Sequence, residues 1–352
     1  MHRALFGKSG LRHRLALAFS LACAGLTLPN SAVAADNPDS PPLDALTADI
    51  ETGDADRFAA LFARTDGKPT AEQLQQDYIS QGSPGLAIFT PHRIIDGQNL
   101  ATAILGDRER YARAINTCLP VIKSTTAELR ATYLAFQGLF PERPLPRIYL
   151  VVGANNSVGT AGPGAQVLGL EVLCAIAKTD EDLREIMRTF YAHETVHVLQ
   201  GATDAGGANI LLASVLQEGA ADFIARIVTG KQPDPTRADW AMPREAELWQ
   251  QFERDLQTLH TVPWDDLKRD TPQWSAFSRW IANAGNAPPG WPSETGYWIG
   301  QRIWERWYAQ QPDKRAAIQQ MLAPTDPEAI LAAGRFRGAR DVTGDAPGQP
   351  QP

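Results

Sequence analysis

Hydrophobic and polar positions repeat with helical spacing over most of the chain. Residues 46–139 show such patterns, and Pro120 is predicted to divide the long stretch 99–140 into two helices. Residues 231–340 are again mostly helical, with loops predicted at "KQPDPTRAD" and "NAGNAPPGWPSE". The pattern therefore predicts a mostly α-helical protein at both ends of the chain.

The middle of the chain changes character. "RIYLVVG" (147–153) and "AQVLGLEVL" (165–173) are rich in residues that favour strands, and the segment between them, "GANNSVGTAGPG", is predicted to be a loop. Two strong helical patterns follow, at about 180–200 and 208–229, with Gly201 and Gly230 as predicted stops. The predicted fold class is α+β, mostly α-helical, with a small β-sheet.

The first residues follow a different pattern. Basic residues precede the apolar run "LALAFSLACAGLTL", and the small residues "AVA" follow at 32–34. Such an arrangement predicts a secretory signal peptide over residues 1–34, cleaved near Ala34. The apolar run is short for a membrane span, so no stable membrane insertion is expected after the signal is removed. The predicted location is the periplasm or the exterior of the cell.

Charge and cysteine content narrow the classes of partner. The net charge is −7, and removal of residues 1–34, which hold four Lys or Arg and no acidic residue, leaves −11. A protein this acidic has no electrostatic footprint for nucleic acid. Cys118 and Cys174 remain after export, either as one disulfide or as two buried thiols. No feature of the sequence indicates an oligomeric state.

One short motif carries the chemistry. In "HETVH" (193–197) two histidines lie four residues apart, one turn along a helix, so both imidazoles can reach one ion. The apolar stripe of the same helix continues onto His193, Glu194 and His197, so these polar residues are predicted to face inward. The stripe consists of Leu183, Ile186, Met187, Phe190 and Tyr191. A coincidental pair of core histidines is the alternative.

The following helix offers a third ligand. Leu211, Val215, Glu218 and Asp222 fall on one stripe of that helix. Two carboxylates on an apolar face are costly unless they meet a cation or a hydrogen-bonding partner. Glu218 as a metal ligand and Asp222 as an acceptor for a histidine N–H would satisfy both.

"HETVH" followed by "EGAAD" (218–222) resembles the gluzincins, the thermolysin-like zinc metallopeptidases, and the 20 residues between His197 and Glu218 are close to the usual spacing of that clan. Together with "NNSVGTAGPGAQVLGLE" and "GYWIGQRI", the motifs look like a family of secreted bacterial proteins described as zinc-dependent proteases of unknown substrate. This resemblance covers about residues 147–305.

The resemblance implies a zincin-like core and a set of roles. His193, His197 and Glu218 would hold Zn²⁺, Glu194 would be the general base, and Asp222 would orient a ligand histidine. Tyr297 is the candidate for stabilising the oxyanion, with His260 as the second choice. By analogy with the clan, "AQVLGLEVL" would be an edge strand that pairs with an extended substrate.

The chain is accordingly divided into regions. The predicted regions are a signal peptide (1–34), an N-terminal helical region (36–140), a zincin catalytic core (141–230), a C-terminal helical region that contains all nine tryptophans (231–340) and a disordered tail (341–352). We treat the tryptophans as packing residues; an aromatic-lined binding groove is the alternative.

The expected function is a secreted zinc metallopeptidase acting on a peptide or protein substrate. Two alternatives belong to other classes. One is a non-catalytic binding protein with a zincin fold, and the other is a zinc hydrolase for a non-peptide amide or ester. The presence of Glu194 argues against the first, because a purely structural zinc site does not need a general base.

Overall fold

The computed structural model of the protein describes residues 43–200 and 209–338. The predicted signal peptide, the helix stop at Gly201 and the tail 341–352 lie outside these ranges. The strands and helices are β1 (Ile50–Glu51), α1 (Gly53–Arg64), α2 (Ala71–Leu74), α3 (Pro84–Phe89), α4 (Gly97–Gly106), α5 (Arg108–Arg113), α6 (Leu119–Lys123), α7 (Thr126–Leu139), β2 (Arg147–Val151), β3 (Gly159–Gly162), β4 (Ala165–Gly169), α8 (Leu170–Ile176), α9 (Asp180–Gln200), α10 (Ile210–Thr229), α11 (Pro235–Ala241), α12 (Glu245–Thr258), α13 (Pro272–Ser278), α14 (Thr295–Ala309), α15 (Lys314–Gln320) and α16 (Pro327–Gly334). Three π-helical turns, Gln75–Ile79, Thr90–Ile94 and Ala114–Cys118, follow α2, α3 and α5.

The described residues are mostly helical and contain a small mixed sheet, so the α+β class is confirmed. The strand order is β1-β2-β4-β3, with β1 and β4 parallel to β2 and β3 antiparallel to β4. β3 and β4 pack against α9, and Gln166 on β4 donates a 2.7 Å hydrogen bond to the carbonyl oxygen of Phe190. The sheet therefore supports the helix that carries both histidines.

The central segment differs from the prediction in two ways. β4 lies between β2 and β3, so "AQVLGLEVL" is not an edge strand, and after Gly169 its second half forms α8. A short apolar run does not distinguish a buried strand from a buried helix, which is why the change was missed. The edge strand next to β4 is β3, which lies within the predicted loop 153–164. Pairing with β4 makes it a strand despite its small residues.

The N-terminal region also departs from the helical prediction. Ile50–Glu51 forms a strand through pairing with β2, which the local pattern cannot show. Pro120 does not end a helix. It lies in the first turn of α6, where its missing N–H needs no partner, directly after the π-helical turn Ala114–Cys118. Cys118 in that turn forms a disulfide with Cys174 of α8, which decides between the two alternatives for this pair.

The C-terminal region packs on the centre of the molecule. α11 begins at Pro235 inside a predicted loop, with the Asp234 side chain accepting a hydrogen bond from the Arg237 N–H. Gly230 ends α10 with a φ of 69°, as predicted. Five tryptophans are buried in the core, and Trp264 is the most exposed at 37%; the buried ones are Trp249, Trp280, Trp298, Trp304 and Trp307. Burial of this kind favours the packing role over a binding groove.

Two glycines set the closest helix crossing near the histidine helix. A Cβ atom at Gly219 of α10 would lie 2.1 Å from the carbonyl carbon of Gly300 on α14. A Cβ atom at Gly300 would lie 1.7 Å from the carbonyl oxygen of Val215. Side chains at these positions would keep the two backbones apart. The crossing brings Tyr297, one turn before Gly300, towards Glu218. In the part of the chain that the structure covers, no helix has the length and apolar character of a membrane span.

Candidate metal centre

α9 carries its polar residues on the buried side, as the sequence predicts. Leu183, Met187 and Tyr191 are buried along the helix, and His193 and Glu194 continue the same buried surface. His197, one turn after His193, is partly buried. The helix therefore delivers two imidazoles to the interior of the protein, close to α10.

α10 supplies the carboxylates. Leu211 and Val215 are fully buried, and Glu218 and Asp222 are each 3% exposed on the same stripe. Ionised carboxylates at such positions require partners. Both find them on α9, so the two helices form one polar cluster within an apolar core.

Three ligand atoms converge at the centre of this cluster. The Nε2 atoms of His193 and His197 are 3.0 Å apart. Glu218 Oε2 lies 3.1 Å from Nε2 of His197 and 3.4 Å from Nε2 of His193. His193, His197 and Glu218 thus form a buried group that could hold a metal ion.

The outer nitrogens of both imidazoles are engaged. Asp222 Oδ1 lies 2.9 Å from His193 Nδ1, and Gln200 Oε1 lies 2.8 Å from His197 Nδ1. The Gln200 amide is oriented by its own Nε2, which donates to the carbonyl oxygen of Gln217. Because a carboxylate and an amide oxygen only accept, each Nδ1 carries a proton, and Nε2 is the atom of each ring that can bind a metal at the centre.

Two partners in this arrangement were not predicted from the sequence. Gln200 orients His197. The sequence feature that could have indicated this role is its position three residues after His197 on the same helix. Arg237, from α11, is buried and approaches Asp222 Oδ2 at 3.3 Å. It also pairs with Asp234 and donates to the carbonyl oxygen of Ser293. Arg237 follows from no local signal, because α11 was predicted to be a loop.

The electrostatics of the cluster favour a positive charge at its centre. Burial alone would lower the pKa of His193, but its hydrogen bonds to the carboxylates of Asp222 and Glu218, and the charges of Asp222 and Glu194, raise the pKa overall. Burial would raise the pKa of Glu218, yet the two neighbouring histidines hold that pKa well below its usual range. Three carboxylates around two imidazoles therefore attract either a proton or a cation.

Glu194 differs from the other two carboxylates. It is 8% exposed, and its charge acts on both His193 and His197. Within residues 43–200 and 209–338, no group donates a hydrogen bond to its carboxylate and no cation forms an ion pair with it. A carboxylate held beside a candidate metal centre without being part of it is the arrangement that a general base needs.

The two candidates for the oxyanion donor have different positions. The Tyr297 ring stacks on the His193 ring at 5.8 Å with an interplanar angle of 3°, and the Arg237 guanidinium lies 5.0 Å from its centroid. Burial and the charge of Glu218 raise the pKa of Tyr297 well above its usual value, so its hydroxyl keeps its proton. His260 is exposed just after α12, and none of the described contacts joins it to the cluster. The structure thus brings Tyr297, and not His260, to the candidate site.

No family model, curated protein or solved structure matches this chain. The likeness to the gluzincins is therefore carried by the motifs alone and stays a prediction. The geometry of the cluster and the chemistry of its residues remain as the evidence for function.

Proposed function

We propose that the protein is a secreted zinc-dependent metallopeptidase with a zincin-like core, which hydrolyses peptide bonds with Glu194 as the general base. The observation that carries the proposal is the convergence of three lone-pair donors next to a carboxylate that is not one of them. His193, His197 and Glu218 are the donors, and Glu194 is the adjacent carboxylate.

The donor set fits zinc. Two imidazole nitrogens and one carboxylate oxygen are a common ligand set of catalytic zinc sites, which keep a fourth position open for water or substrate. A zinc ion bound there acts as a Lewis acid that polarises a carbonyl group and makes water acidic enough to ionise near neutral pH. Soft thiolate ligands are absent from the cluster, since both cysteines of the described residues form a disulfide.

The protein's own residues perform the proton transfers. Glu194 accepts a proton from the attacking water and returns it to the leaving amine. Asp222 and Gln200 fix the ring orientations of His193 and His197, and Arg237 holds Asp222 in place. We assign Tyr297 as a hydrogen-bond donor to the developing oxyanion, because its hydroxyl keeps its proton and its ring lies against His193.

The Cys118–Cys174 disulfide supports the proposed location. Disulfides form and persist in oxidising compartments, such as the periplasm and the extracellular space. The signal sequence over residues 1–34 indicates the same route. The proposed partner is therefore a peptide or protein outside the cytoplasm.

The test combines metal analysis with a matched pair of variants. Metal content is measured for the wild type, for Glu194→Gln and for Glu181→Gln, which makes the same substitution at an exposed position in the first turn of α9. All three proteins should hold one zinc per chain. On a peptide library the wild type and Glu181→Gln should cleave alike, whereas Glu194→Gln should be slower by about 10²- to 10⁴-fold.

The other outcomes separate the alternatives. Stoichiometric zinc without cleavage of any peptide by the wild type would contradict the peptidase proposal and favour the binding protein. Cleavage of small amides or esters alone, with the same dependence on Glu194, would indicate the non-peptide hydrolase. Failure of the wild type to retain any divalent metal would exclude the centre itself.

A further inference from the structure

Arg93 is a buried arginine close to the candidate site that the proposed mechanism does not use. It lies in the π-helical turn Thr90–Ile94 and is 8% exposed. Burial lowers the pKa of Arg93, and the negative charge of Glu194 acts against that shift. The two side chains nevertheless form no ion pair. Arg93 therefore lies within electrostatic range of the proposed general base.

The side chain of Arg93 is held from several directions. Its Nε donates a 3.0 Å hydrogen bond to Ser157 Oγ, and its guanidinium lies 5.4 Å from the centroid of the Phe89 ring. The Asn156 side chain donates a 2.8 Å hydrogen bond to the backbone oxygen of Arg93. Because Asn156 and Ser157 directly precede β3, which packs against α9, these contacts fix Arg93 relative to the helix of Glu194.

The terminal nitrogens of Arg93 have no partner among residues 43–200 and 209–338. Arg237, the other buried arginine, contacts two carboxylates, Asp222 and Asp234. Neither Nη atom of Arg93 is both fully buried and unpartnered, so the two atoms keep access to solvent. The two Nη groups form a planar fork that matches a carboxylate. This fork is held near Glu194 with no protein carboxylate bound to it, so it is available to a carboxylate that a ligand supplies.

We propose that Arg93 binds a carboxylate group of the substrate and makes the protein selective for peptides that carry such a group near the cleaved bond. This inference rests on the proposed function, since it places the carboxylate next to Glu194. The carboxylate comes either from the C-terminus of a peptide or from an Asp or Glu side chain. Both sources present the same two oxygens to the guanidinium.

The binding test uses protein in which cleavage is blocked. Zinc-loaded Glu194→Gln is titrated with N-acetylated alanine tetrapeptides that end in a carboxylate or an amide, and with amidated tetrapeptides in which one alanine is replaced by Glu or Gln. Calorimetry gives the Kd of each. We expect about 10- to 100-fold weaker binding of the peptides that lack a carboxylate. The comparison of free and amidated C-termini, and of Glu with Gln, shows whether the protein binds the terminal carboxylate or the side-chain carboxylate.

Arg93 variants then assign the selectivity to this residue. In the Glu194→Gln background, Arg93→Gln should remove the preference by weakening only the carboxylate peptides. Arg93→Lys keeps the charge without the fork and should retain part of the preference, which provides a test if Arg93→Gln does not fold. Arg130→Gln is the matched control, since Arg130 is a half-buried arginine whose Nε is bonded to the Ala48 oxygen. It should leave every Kd unchanged.

The possible results separate this inference from the proposed function. Equal binding of carboxylate and amide peptides, no binding of either, or an unchanged preference in both Arg93 variants would overturn the role of Arg93, even if the wild type cleaves peptides. Selective binding that depends on Arg93, together with no cleavage by the wild type, would leave the role of Arg93 intact and contradict the peptidase function.

Discussion

Asp222→Asn should weaken metal binding by changing which nitrogen of His193 carries the proton. Asp222 accepts from His193 Nδ1 through one oxygen, and its other oxygen lies 3.3 Å from Arg237 Nη1. An asparagine has one accepting oxygen and one donating NH₂ group. If its oxygen faces Arg237, its NH₂ faces His193 Nδ1, and the imidazole proton must move to Nε2. That proton then occupies the position of the lone pair that a metal requires.

The magnitude follows from the environment of this hydrogen bond. His193 and Asp222 are nearly fully buried, and the bond has an ionised acceptor, so it is stronger than a bond to a neutral one. Loss of such an outer partner typically reduces metal affinity about 10- to 100-fold, or about 1.4–2.7 kcal/mol. Gln200→Leu removes a neutral acceptor from the more exposed His197, and we expect only about a 2- to 10-fold loss.

The assay is a competition titration of zinc between the protein and a chromophoric chelator, for the wild type and both variants at one pH. Thermal unfolding of the metal-free proteins controls for damage to the fold, because Asp222→Asn also removes a charge from Arg237. Zinc affinity of Asp222→Asn within about twofold of the wild type would refute the tautomer argument. Equal losses of zinc affinity for Asp222→Asn and Gln200→Leu would refute the idea that the ionised acceptor of His193 contributes more than the neutral acceptor of His197.

Three further predictions concern stability. Gly300→Ala should destabilise the protein by about 3 kcal/mol or more, because the new Cβ would meet the Val215 backbone. Gly138→Ala, with open space around its Cβ, should stabilise the protein by about 0.5–1 kcal/mol. Urea unfolding of the two variants tests these opposite signs. Burial raises the pKa of Glu294 to about 7, so the folded state holds this proton more tightly than the unfolded state, and the free energy of unfolding should fall by up to about 3 kcal/mol between pH 4.5 and 7. In metal-free Glu294→Gln, the free energy of unfolding should lack this decrease between pH 4.5 and 7. A variant with the same pH profile as the wild type would contradict the prediction. Reduction of the Cys118–Cys174 disulfide, which joins residues 56 apart, should cost about 4 kcal/mol; a change below about 1 kcal/mol in urea unfolding with reductant would show that the cross-link is not a major constraint.

Local pattern was sufficient for the two helices of the site. The apolar stripe from Leu183 to Tyr191 fixed which side of α9 is buried, and the same periodicity then placed His193 and Glu194 inward. On α10 the stripe through Leu211 and Val215 did the same for Glu218 and Asp222. These placements hold because a side chain's face on a helix depends only on its spacing from its neighbours.

Local pattern failed where pairing or long-range contacts decide the structure. Residues 159–162 form a strand because they pair with β4. Since β4 also pairs with β2, Ala165–Gly169 lies inside the sheet and not at the predicted edge. Pro120 lies in the first turn of α6, directly after a π-helical turn, so the break between successive helices falls at residues 124–125 instead. None of these outcomes is encoded within one window of sequence.

The sequence by itself determined the donor types, their spacing and the faces on which they lie, and hence a candidate centre of His193, His197 and Glu218. Only the tertiary structure decided that their three ligand atoms converge and that Gln200 and Arg237 complete the surrounding hydrogen bonds. It also decided that Arg93, distant along the chain, lies near Glu194. The physical reason is that helical periodicity is a property of consecutive residues. The distance between two side chains on different elements depends instead on how the backbones pack, as α9 and α10 do here.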